Sequence, residues 1–233
     1  MTGTRLRRRA VAATAALALL ALHASPFARA QSSPEGATLT GATLTGATLT
    51  ATAAASLAGV PAALERLRVA ALERKLPFPL EAVTLEVEKK ARRMTLLSRG
   101  VPLRSYRAAI GRAPTGHKQR EGDGKTPEGV YYVSLRLPSS SYYKAFLLSY
   151  PDKADAVRGL QAGLISAAQK QAIDQAQDAC GNPPQQTGLG GEIELHGKGG
   201  DSDWTLGCIA GDDSTIDEVW AKIDAKDTIV VYP

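Results

Sequence analysis

Residues 192–210 read EIELHGKGGDSDWTLGCIA. The run Glu192–His196 alternates polar and apolar, the two-residue period of a half-buried strand. That period sends Ile193 and Leu195 to the core and gathers Glu192, Glu194 and His196 on the other face. Gly197, Gly199 and Gly200, with Asp201–Asp203, then form a loop, and Cys208 stands directly behind Gly207. A histidine at a strand end and a cysteine after a glycine-permitted turn meet without a long excursion. A thiol near an imidazole can lose its proton and become a nucleophile. By residue type alone, the same pair also reads as a packed histidine and a small buried hydrophobe.

Downstream, Asp212 and Asp213 are N-cap candidates for a helix in which Ile216, Val219, Trp220 and Ile223 keep i, i+3, i+4, i+7 spacing. Trp220 is assigned to the core, and Thr228–Tyr232 to a closing strand. Upstream, Ser166 and Gln169 make a capping box opening a helix that runs to about Ala179. Gly181, Pro183 and Pro184 stop it, and its place before the strand at 192–196 makes it a candidate wall for a cleft there. Asp152–Gly159 reads as a short helix, and Phe146–Tyr150 and Val130–Leu135 as strands. Gly111–Gly129, GRAPTGHKQREGDGKTPEG, is a long loop, either functional or a solvated hairpin. Its Gly124-Lys125-Thr126 run opens no helix, which argues against a P-loop.

Further upstream, Ala82–Val87 alternates through Val83, Leu85 and Val87. Met94–Leu97 and Val101–Ile110 flank the turn signal Ser98-Arg99-Gly100. Pro61–Leu76 reads as a helix, with Leu64, Leu67, Ala71 and Leu72 at helical spacing and Pro61 in its first turn; Pro77 and Pro79 end it. The pattern is mainly β with a few helices.

The N-terminus has the grammar of an export signal. Arg5, Arg7, Arg8 and Arg9 precede an apolar run, Ala10–Leu22, too short to span a bilayer comfortably. Ala28-Arg29-Ala30 fits a cleavage site. Removal of residues 1–30 takes the basic count from 28 to 23, equal to the 23 acidic residues. The whole-chain charge of +5 therefore belongs to the signal, and nucleic-acid binding is excluded as its explanation. An exported chain in the periplasm or cell envelope is expected, with no stable membrane insertion after cleavage. Residues 31–58 contain three copies of Gly-Ala-Thr-Leu-Thr and read as a low-complexity linker. Residues 59–79 carry the N-terminal helix and its connector, and 80–233 form the main domain. Two cysteines are too few for a disulfide framework, and Cys180 is expected as a packed or free thiol. Two histidines and two cysteines remain after cleavage, but their spacings match no zinc finger; no metal and no cofactor is implied.

His196-Gly197, a loop, then Thr205-Leu206-Gly207-Cys208-Ile209 resembles the signature of L,D-transpeptidases of the YkuD type: His-Gly, a loop, Ser/Thr-x-Gly-Cys and an apolar residue. The resemblance extends to Gly111–Tyr131 and covers residues 80–233. It implies a YkuD-like fold, a β-sandwich or barrel-like sheet core. It also implies that Cys208 is the nucleophile and His196 its base, with the Gly197 carbonyl orienting His196 and Glu194 an alternative orienter. Gly207 and Cys208 amides serve the oxyanion. Trp204, Thr205, Glu194 and His117 become substrate-binding candidates. The implied substrate is a peptidoglycan stem tetrapeptide, acylating the thiol and passing to an amine, and the implied state is a monomer. Two departures stand out: the loop from His196 to Thr205 is shorter than in many members, and Ala210 occupies a position where the family often has Arg or Asn. A related thiol hydrolase that trims stem peptides or releases wall-linked protein stays open beside this reading. So does a non-catalytic wall-binding module.

Overall fold

The computed structural model describes residues 51–233; the export signal and most of the expected linker lie outside the described residues. Twelve elements follow in order: α1 (Ala51–Glu73), β1 (Val83–Glu88), β2 (Arg93–Ser98), β3 (Val101–Arg107), β4 (Gly129–Ser140), β5 (Tyr143–Leu148), α2 (Lys153–Gln161), α3 (Ala167–Asp178), β6 (Glu194–His196), β7 (Ile209–Ala210), α4 (Asp213–Trp220) and β8 (Thr228–Tyr232).

The strands form one sheet in the order β3-β2-β1-β8-β4-β5-β6-β7. β4 joins its halves: Gly129–Tyr132 pairs with β8, and from Val133 onward β4 pairs with β5. The β4–β5 register shifts twice, after Val133 and after Leu137, and such bulges bend a strand. The outer ends of the sheet then approach each other. Ala109, just beyond β3, bridges Ala210 in β7, and Gly111 bridges Thr205. The sheet is therefore curled toward a barrel, and the turn that carries Cys208 sits at the seam.

The curl encloses one main core. Leu85 and Val87 from β1, Met94 and Leu96 from β2, Phe146 from β5, Leu195 from β6, and Ile229 and Val231 from β8 meet Ile216 and Val219 of α4 and Leu67 and Ala71 of α1. Each such side chain contributes roughly 1.5–3 kcal/mol by leaving water. A smaller cluster of Ala156, Ile165, Ile173 and Leu189 holds α2 and α3 together. Among the described residues no helix is long and apolar enough to cross a membrane.

Two expectations need correction. α1 begins at Ala51, not Pro61, so the last eight residues of the expected linker are helical and Pro61 lies inside the helix. The Ala-rich run ahead of Pro61 has high helix propensity, which outweighs the Gly-Ala-Thr-Leu-Thr character before it. At the head of α4, Asp212 is the N-cap but its side chain makes no cap hydrogen bond. Its Oδ1 accepts from Gly200 N at 3.4 Å, and Asp213 Oδ1 accepts from Lys198 N at 2.9 Å. Both carboxylates are spent holding the loop after His196. By contrast, the capping box at Ser166 and Gln169 forms as read.

Candidate active site

β6 lies between β5 and β7, with His196 opposite Ala145 on one side and Ala210 on the other. Ile193 and Leu195 face the core. His196, expected on the open face, is 1 % exposed, because other residues cover that face. The Tyr142 ring stacks on the imidazole at 4.6 Å between centroids, and Trp204 meets it edge-on at 5.5 Å. His196 Nδ1 lies 2.8 Å from the Gly197 carbonyl oxygen. A carbonyl only accepts, so this contact assigns the proton to Nδ1 and leaves the Nε2 lone pair open. Burial holds the imidazole below its ordinary pKa, against the Gly197 bond, which favours the charged form.

The turn that carries Cys208 is built by hydroxyls. Thr205 Oγ1 donates to the Cys208 carbonyl at 2.7 Å and accepts from Gly207 N at 3.2 Å. Thr126 Oγ1, from the long loop, accepts from Gly111 N at 2.9 Å and donates to the Cys208 carbonyl at 3.3 Å. Gly207 has φ +146°, and a Cβ there would stand 2.9 Å from the Lys125 carbonyl oxygen. Both facts require glycine. Asp203 anchors the preceding residues, accepting two bonds from Arg92 Nε at 2.9 and 2.8 Å and one from Ile110 N at 3.2 Å.

Cys208 Sγ accepts from Glu194 N and donates to the Glu192 carbonyl, each at 3.4 Å. Among the described residues it makes no hydrogen bond to His196. Both side chains line one cleft of about 470 Å³. Burial pushes the thiol up to about 11; the Glu194 amide and the field of Lys118 pull the other way, and Glu192 and Glu194 add to the rise. The resting pair is thus a neutral thiol and a neutral imidazole. The expected pair of oxyanion donors is also altered. The Gly207 amide is committed to Thr205 Oγ1, while the Cys208 amide has no hydrogen-bond partner among the described residues.

The remaining lining falls into two groups. Tyr142, Trp204 and Leu206 are apolar, with Leu206 70 % exposed at the mouth. Arg112, Lys118, Glu121, Glu192 and Glu194 are charged. Lys118 is 2 % exposed, its Nζ donating to Asp123 Oδ1 at 3.0 Å and to the Arg120 carbonyl at 3.1 Å. Glu194 titrates above the usual carboxylate range, through burial first and the Glu192 charge second. It does not bond His196, so the Gly197 carbonyl is the orienter.

His117 is not brought to this cleft. Its Nδ1 accepts from Glu128 N at 2.9 Å and its Nε2 faces Asp155 Oδ1 at 2.7 Å, which ties the long loop to α2. Ala210 is fully buried, its amide and carbonyl paired with those of Ala109 at 2.9 and 2.8 Å. Ala210 itself does not line the cleft. Cys180 is a free, exposed thiol with φ +47°. Among the described residues no three His, Cys, Asp or Glu side chains gather as a metal site.

Tyr142, Thr126, Arg112 and Lys118 were not singled out in the sequence. Lys118, Thr126 and Arg112 lie in the loop read as functional or solvated. The one available signal for Tyr142 was an aromatic residue beside Ser139–Ser141, where a hairpin tip would fall.

The curled sheet thus carries His196 and Cys208 on one cleft at its seam. The family model for the L,D-transpeptidase catalytic domain matches residues 82–231, and the chain belongs to that family. The chain is 39% identical over 61 residues to YafK of Escherichia coli (strain K12); the match covers 25% of each chain. The chain thus spans about a quarter of the length of the curated relative it matches. Among solved structures it is similar to the helical cell shape determining protein Pgp2 from Campylobacter jejuni, with 23% identity, TM-score 0.42, and 64% of this chain and 46% of that one covered. It is also similar to an L,D-transpeptidase from Xylanimonas cellulosilytica, with 14% identity, TM-score 0.39, and 70% and 68% covered.

Proposed function

We propose that the protein is a peptidoglycan L,D-transpeptidase with Cys208 as nucleophile and His196 as its base. The observation that carries this is the imidazole fixed by Nδ1 on the Gly197 carbonyl, with Nε2 open in the cleft that holds the Cys208 thiol. Rotation about the Cys208 Cα–Cβ bond releases Sγ from Glu192 and Glu194 and turns it toward Nε2, which takes its proton. The thiolate attacks the carbonyl of the third residue of a stem tetrapeptide. The Cys208 amide donates to the tetrahedral oxyanion; the Gly207 amide serves the turn through Thr205. His196 returns the proton to the departing D-Ala amine, leaving a thioester. An acceptor amine loses its proton to His196, attacks, and regenerates the thiol. Trp204 and Glu194 line the donor's path, and Thr205 acts by shaping the turn.

The buried side chain of Ala210 favours a second reading, in which water replaces the amine and stem peptides are trimmed or wall-linked protein is released. The chain acts as an exported envelope protein once residues 1–30 are removed, with residues 80–233 as its catalytic domain. Incubation with purified wall peptides and mass analysis of the products tests the proposal. Cross-linked peptides with release of D-Ala are expected. Free tripeptide alone would establish hydrolysis, and unchanged substrate would overturn both readings.

A further inference from the structure

The β4–β5 hairpin turns through Ser141–Tyr142, and Tyr143, the first residue of β5, has φ +79°. Residues with a side chain avoid this conformation. The acyl-transfer mechanism does not use Tyr143. The hairpin tip nonetheless meets the histidine segment twice. Tyr142 stacks its ring on His196, and its carbonyl accepts from Gly197 N at 2.9 Å. Gly197 is packed so tightly here that a Cβ would lie 3.0 Å from the Tyr142 carbonyl oxygen and 2.9 Å from Tyr143 Cβ. Its own carbonyl receives His196 Nδ1. The tip thus holds both the face of the imidazole and the peptide that fixes its tautomer.

The tip is itself fastened to α4. Tyr143 Oη donates to Asp217 Oδ1 at 2.9 Å, and Lys144 Nζ donates to the same oxygen at 2.6 Å. Lys144 is 1 % exposed and Asp217 7 %, so these are bonds inside the protein. Neither α4 nor Lys144 lines the cleft. Two charge-assisted bonds therefore converge on one carboxylate oxygen and fasten the start of β5 to α4.

We propose that Asp217, through Tyr143 and Lys144, is a positioning residue for catalysis. It holds the hairpin tip over His196 and so keeps the imidazole in the Nδ1–H tautomer with Nε2 directed into the cleft. The kinetic part rests on the acyl-transfer reading; the tautomer does not.

The test uses the ¹⁵N-labelled protein and two variants, Tyr143→Phe and Asp217→Asn, each checked by thermal melting. Long-range ¹H–¹⁵N correlation of the imidazoles reads the tautomer of His196, assigned by its loss in His196→Ala. Wild type should show Nδ1–H alone. Tyr143→Phe should keep its fold and show a tautomer mixture or exchange broadening at His196 only. Acyl-enzyme formation on wall peptides should slow about three- to tenfold, the worth of one hydrogen bond, with substrate binding unchanged. Should Asp217→Asn fail to fold, with Lys144 left buried without its counter-charge, Tyr143→Phe decides alone. A folded Tyr143→Phe with an unchanged His196 spectrum and an unchanged acylation rate overturns the proposal. A lowered melting temperature with an unchanged spectrum does the same, because it reduces the tether to a structural one. A changed spectrum in a protein that acylates no wall peptide, wild type included, upholds the positioning role and rejects the acyl-transfer reading.

Discussion

Burial raises the Cys208 thiol to about 11 and lowers the His196 imidazole, and both shifts favour the uncharged pair. The folded thiol binds its proton more tightly than the unfolded one. Its contribution to stability is therefore complete below the unfolded value of about 8.5 and is lost as pH rises toward about 11. Wild type should lose melting temperature between pH 8 and 10 more steeply than Cys208→Ala; parallel curves would reject a buried thiol. For His196 the sign is opposite: its folded pKa is depressed, so its contribution is lost as pH falls below about 6.5. In the family resemblance, carbapenems acylate the cysteine. Intact mass should then show an adduct on wild type, none on Cys208→Ala, and one that forms about a hundredfold more slowly on His196→Ala. Equal rates in wild type and His196→Ala would remove His196 as base.

At the scale of elements, the turn that carries Cys208 depends on Gly207 and on the Thr205 hydroxyl. Gly207→Ala brings a Cβ against the Lys125 carbonyl at φ +146°. It should cost about 1–3 kcal/mol, read by denaturant melts, and remove acylation with it; an active, fully stable Gly207→Ala would contradict the turn as described. The same turn explains what could be read beforehand. Period-two alternation located β1 and β6, and Arg99 and Gly100 take the positive φ of a tight turn, as Ser98-Arg99-Gly100 suggested. The order His196-Gly197…Gly207-Cys208 was legible because glycine is dictated locally. Tyr142 was not, since its role comes from a hairpin folding back over a strand more than fifty residues later in the chain. The second use of Asp212 and Asp213 was hidden for a similar reason. Their spacing predicts a cap, but the loop amides that outcompete it arrive through the β6–β7 pairing. His117 stood as a substrate-binding candidate on a loop; its tie to Asp155 was visible only in three dimensions.

For the whole molecule, α1 closes the core from outside the sheet. Leu67 and Ala71 are fully buried, and Arg66 reaches Glu218 of α4, a carboxylate 3 % exposed that also takes Arg104 and Tyr106 from β3. Leu67→Ala should destabilise by about 2–5 kcal/mol, measured by urea titration. The matched family region begins at residue 82, after α1, so a chain truncated there should expose Ile216 and Val219 and aggregate. A truncated protein as stable as the full chain would make α1 an accessory.

The burial that raises the Cys208 thiol also decides how the protein meets peroxide. Oxidation to sulfenic acid proceeds through the thiolate. A thiol held at about 11 offers that form in only about one molecule in ten thousand at neutral pH. Substrate binding, by turning the sulfur toward His196, would be the moment of exposure. Cys180, free at the surface, should therefore oxidise first, and peptide mass mapping after brief peroxide treatment should find Cys208 intact while Cys180 is already modified.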